Sequence, residues 1–98
     1  MKVRFHDERL SRLETDPGYL GGHDKAIVRA FRRMMNLIRS AVDERDIRAM
    51  KSARMEKLKG NRSHQYSLRL NDQWRLIIEI EETDPKNTIV VISIVDYH

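Results

Sequence analysis

The chain has 98 residues, 40% apolar and 35% charged, with no cysteine and a net charge of +4. That length supports one domain, residues 1–98, able to bury about two-thirds of the surface its unfolded chain exposes. The absence of cysteine excludes a disulfide scaffold, a thiolate zinc site and a cysteine nucleophile, and it makes the cytoplasm the expected compartment. The longest apolar run, Ile89 to Ile92, is far too short to span a bilayer, and the N-terminus lacks the apolar centre of a secretory signal. No membrane association is expected.

An isoelectric point near 9.7 favours an anionic partner without separating nucleic acid from acidic protein. The placement of charge says more. Residues 25–62 hold twelve Lys or Arg against four Asp or Glu, whereas residues 63–98 hold three against six.

The elements follow in chain order. Val3-Arg4-Phe5-His6 alternates apolar and polar residues, as a short edge strand would. Leu10 and Leu13 predict one short helical turn, followed by a loop marked by Asp16-Pro17-Gly18 and Gly21-Gly22, the stretch expected to be most mobile. Asp24 offers an N-cap to a helix reaching about Ser40, with Ile27, Phe31, Met34 and Ile38 on one face. Asp43 caps a further helix carrying Ile47 and Met50, and a break at Ala41-Val42 would let these two helices pack antiparallel. Arg29, Arg32, Arg33, Arg39, Arg45 and Arg48 then lie mostly outside the apolar seam, either as a solvated face or as a contact surface for RNA or an acidic protein.

Beyond Met55 the period becomes two. Tyr66, Leu68 and Leu70, then Trp74, Leu76, Ile78 and Ile80, alternate with polar residues around the turn Asn71-Asp72-Gln73, which predicts a hairpin. After Asp84-Pro85-Lys86-Asn87, the β-branched run from Thr88 to Val95 is apolar on both faces, as an interior strand is. The expected fold is α+β: a strand, two packed helices, then an antiparallel sheet of three or more strands.

Alternation also places chemistry. If Leu68 and Leu76 face the helices, Arg69 and Arg75 project together from the other face, near the hairpin end, with Ser67 beside them and Lys57, Lys59 and Arg62 just upstream. A planar guanidinium grips phosphate through two charge-assisted hydrogen bonds and stabilises charge that develops on it. The terminal Asp96-Tyr97-His98 adds a carboxylate, a phenol and an imidazole after the interior strand; the alternative is a frayed end without a role. His64 is a further candidate or an exposed loop residue. The four histidines show no metal-ligand spacing, and no glycine-rich phosphate loop or dinucleotide fingerprint occurs, so neither metal nor cofactor is expected.

The stretches Leu58-Lys59-Gly60-Asn61-Arg62, Tyr66 to Leu76 and Val95-Asp96-Tyr97-His98 together resemble the HigB-type toxins of bacterial toxin–antitoxin operons, within the RelE-like superfamily. The likeness covers the chain in length and element order and is specific in the C-terminal half. It implies a metal-independent, ribosome-dependent endoribonuclease that cleaves mRNA to 2′,3′-cyclic phosphate and 5′-OH ends. It further implies that Arg75 stabilises the scissile phosphate, that Arg69 and Arg62 support it, and that Lys59 and Lys57 contact RNA. Tyr97 and His98 would orient the nucleotide and exchange protons, with Asp96 fixing His98. Some members have histidine where this chain has Glu56, which shifts proton transfer towards His98. The implied partners are the ribosome with its mRNA and a helix-turn-helix, HigA-like antitoxin from the same operon, through which alone operator DNA would be met. Two other readings stay open: an RNA- or ribosome-binding module that does not cut, and a protein-interaction domain.

Overall fold

Three aspartates start the helices. Asp7, Asp24 and Asp43 each have extended backbone and accept a hydrogen bond from an amide of the following turn, that of Arg9, Ile27 and Arg45 respectively. The helices are α1, Glu8–Thr15; α2, Lys25–Ser40; and α3, Glu44–Ala49. The computed structural model describes residues 1–96, so Tyr97 and His98 lie outside it. Five strands, β1 (Lys2–Phe5), β2 (Glu56–Lys57), β3 (Gln65–Arg69), β4 (Trp74–Glu81) and β5 (Thr88–Asp96), form one sheet in the order β1-β5-β4-β3-β2. The first strand pairs parallel with the last, and the other three pairings are antiparallel. The α+β architecture expected from the sequence is the one observed.

The core lies between the helices and one face of this sheet. Phe31, Met35 and Ile38 of α2 and Ile47 of α3 are fully buried together with Leu68, Leu76, Ile78, Ile89 and Val91 from the strands. On β5 the pairing skips Ile92: Ile77 opposes Ser93, and Ile78 opposes Val91. This bulge lets Val91 and Ile94, three residues apart, both reach the core side of the strand.

Two expectations need correction. The helix of Leu10 and Leu13 has eight residues rather than one turn, because Asp7 caps it. Its partner in the helical layer is α2, whereas α3 lies against a 3₁₀ turn at Lys51–Ala53, so the antiparallel pair expected of α2 and α3 is not formed. Only a three-residue break, Ala41 to Asp43, separates α2 from α3, and α3 is too short to run back along its neighbour. The loop after α1 is tied down as well: Arg32 donates to the carbonyls of Leu13, Asp16 and Tyr19 at 3.0, 2.8 and 3.3 Å.

Candidate functional site

The hairpin fixes the placement of the key arginines. Arg69 opposes Arg75, which opposes Val95; two residues along, Glu56, Ser67, Ile77 and Ser93 form the next cross-strand row on the same face. Leu68, Leu76 and Ile78 belong to the core, so both rows stand on the sheet face turned away from the helices. The two guanidiniums expected to share a patch are therefore brought together, beside Ser67.

The turn that joins their strands also holds them. The Asn71 side-chain oxygen accepts from the amides of Gln73 at 2.9 Å and Trp74 at 2.8 Å. The Asn71 carbonyl in turn accepts from Arg75 Nη1 at 2.8 Å. Asn71 is thus a positioning residue that sequence reasoning treated only as part of a turn; its signal was an Asn two and three residues before the amides it binds. Arg69 donates to the Asp72 carboxylate. Asp72 is 98% exposed, so this pair contributes little and yields readily to a competing anion.

The remaining candidates spread further. Lys57 opposes Tyr66 on the short edge strand, and Lys59 leads into a 3₁₀ turn at Gly60–Arg62. Arg62 Nε donates to Gln65 Oε1 at 3.0 Å, Gln65 Nε2 donates to Glu79 at 2.9 Å, and His64 stands 3.4 Å from the same carboxylate. Gln65 lies four residues, about 13 Å along the strand, from Arg69. Arg62 is accordingly anchored away from the arginine pair, beside an acid. Asp96 opposes Trp74 rather than Arg75 and accepts from Gln73 Nε2 at 3.0 Å, while the Trp74 ring meets His23 edge-on at 5.8 Å. The register gives Val95, not Asp96, to the arginine row. The proposed roles of Tyr97 and His98, and the contact between Asp96 and His98, lie outside the described residues. Among the described residues no three His, Asp or Glu side chains gather as a metal-ligand set. Among the described residues no helix is long and apolar enough to cross a membrane.

Residues 3–98 match the family model of the HigB-like toxins, described as the RelE-like toxin of type II toxin–antitoxin system HigB. The chain belongs to this family of type II toxins. Among solved structures, the YoeB/ParE toxin from Agrobacterium tumefaciens superposes with a TM-score of 0.61 over 100% of both chains, at 19% identity. A YoeB-YefM toxin–antitoxin heterotetramer from Staphylococcus aureus contains a chain matching at TM-score 0.61 and 22% identity, over 100% of this chain and 97% of that one. At those identities the likeness speaks for the fold. No curated protein sequence matches significantly.

Proposed function

We propose that this toxin is an endoribonuclease that cleaves mRNA by transesterification, without a metal. The observation that carries the reading is the cross-strand pair Arg69 and Arg75, half-buried on the sheet face turned away from the helices, with Arg75 held by the turn. In this reaction the ribose 2′-oxygen attacks the adjacent phosphorus and the bond from phosphorus to the 5′-oxygen breaks. A base takes the proton of the 2′-hydroxyl, and an acid returns one to the departing 5′-oxygen. The products are a 2′,3′-cyclic phosphate and a 5′-hydroxyl. The protein's part is to bind the phosphate, to stabilise the extra negative charge of the phosphorane, and to move two protons. Arg75 suits the charge and Arg69 the binding; the resemblance assigns the protons to Tyr97 and His98, and more of the transfer falls to His98 because Glu56 stands where some members have histidine.

The small size of the chain supports a substrate presented by the ribosome, which would supply positioning beyond what one small sheet face can. An antitoxin from the same operon is the expected protein partner, as YefM is for YoeB in the S. aureus complex. Induced expression is expected to arrest growth and to create new RNA 5′-hydroxyl ends within translated messages, mapped by 5′-end sequencing. Arg75→Ala should cut the cleavage rate by about 100- to 1,000-fold while leaving the protein folded. Growth arrest without new ends would favour a non-cutting ribosome binder and sink the nuclease reading.

A further inference from the structure

Of the eight arginines in the basic middle segment, three are bound to carbonyls or acids around the helices, while Arg29, Arg33, Arg48 and Arg54 are exposed without an ion pair among the described residues. Arg32 is bound to three carbonyls, Arg39 grips Glu14 with two hydrogen bonds, and Arg45 pairs with Asp43.

Arg33 lines a cleft of about 170 Å³ between α2 and the hairpin tip, together with Ser52, Arg69, Met34, Leu37 and Leu70. Leu37 is one of two large apolar side chains left exposed among the described residues. Arg54 follows two residues after Ser52 and is the one described non-glycine residue with positive φ, at φ 44° and ψ 57°. Glycine takes that conformation freely, whereas a residue with a β-carbon is strained in it. Here it closes the 3₁₀ turn, with the Arg54 amide donating to the Lys51 carbonyl, and it leaves the side chain exposed. The pairing of Glu56 with Ser67 puts Arg54 at the sheet edge, towards the Arg69 end of β3.

We propose that Arg33 and Arg54 are phosphate ligands flanking Arg69, and that this cleft seats the nucleotide next to the scissile one as the RNA strand leaves the sheet. The inference rests on the ribonuclease reading and extends its substrate contacts. Arg69 lines the cleft and belongs to the arginine pair, and β2 pairs with β3 only at Tyr66 and Ser67, so the strand would pass from the outer face round the sheet edge at Arg69 to the helix side. The cleft is small for a folded partner and adequate for one base against an apolar floor, with guanidiniums and a hydroxyl as donors to the backbone.

The test uses the full chain carrying Arg75→Ala, so that RNA stays intact, and a short fluorescent single-stranded RNA titrated over a salt series. Arg33→Ala and Arg54→Gly should each weaken binding about tenfold, the loss expected for one charge-assisted hydrogen bond. Each should also reduce the log–log salt slope by about 0.7. Arg54→Lys should largely restore affinity, and Arg54→Gly should not lower the melting temperature. Unchanged affinity and slope in both variants would overturn the proposal, as would unchanged RNA binding combined with lost binding of poly-glutamate, which would assign the cleft to an acidic protein. A fall in melting temperature on Arg54→Gly would show that the side chain serves the fold, and would remove it from the track. The 5′-end map of the protein without Arg75→Ala separates this from the parent reading: new ends with unaffected variants sink the track alone, and RNA binding through these arginines without new ends sinks catalysis alone.

Discussion

Arg69 and Arg75 stand directly opposite one another, an arrangement that opposes folding by about 0.2–1 kcal/mol for like charges on paired strands. The chain offsets it locally, with Asp72 against one guanidinium and the Asn71 carbonyl accepting from the other. Replacing Arg69 with threonine, a good strand former, should therefore leave the melting temperature equal or higher while growth inhibition falls. Asn71→Ala should cost about 1–2 kcal/mol in urea unfolding and also reduce activity, because Arg75 loses its fixed turn; Asn71→Asp keeps the acceptor and should recover both. At the cap of α1, hydrogen bonds from Arg9 hold the Asp7 carboxyl down at about 2, from an ordinary 3.8. A folded-state value below the unfolded one means that this stabilisation is complete above pH 3.8 and disappears as the pH falls through about 2. Asp7→Asn should flatten the acid limb of the stability curve in that window, and an unaltered limb would count against the assignment. Alternation alone foretold that the two arginines share a face. It could not foretell that Arg62 turns to Gln65, because that choice depends on which acceptors lie near a loop side chain.

The elements were readable in proportion to their local signals. Asp24 and the 3.6-residue apolar stripe foretold α2, and strict alternation foretold β3 and β4 with their turn. Two residues, Glu56 and Lys57, are too few to show any period, so β2 was not foreseen. The pairing of α1 with α2 was equally hidden, since it depends on contacts between segments rather than within them. Its main polar tie is Arg32, whose guanidinium satisfies three carbonyls at the end of α1 and in the following loop. Arg32→Ala should lower stability by about 2–3 kcal/mol in urea titration, more than an exposed arginine would, by leaving part-buried acceptors without donors. Arg29→Ala, on the exposed side of the same helix, should change stability by less than about 0.5 kcal/mol.

For the molecule as a whole, charge and chemistry fall on different parts. The excess of positive charge belongs to residues 25–62, yet Arg32 and Arg39 of that segment tie α2 to α1 and the loop after it. The arginine pair sits in the segment whose own balance is acidic. The parallel pairing of β1 with β5 has a consequence for how the toxin comes into being. Of the five strands, the one synthesised last takes an interior place, between the first and the fourth, and Thr88–Val91 provides every partner that Lys2–Phe5 has in the sheet. A nascent chain that has not yet released β5 has no way to complete the core. Completion of the fold thus waits on the release of the strand that joins the first one, however early the helices form.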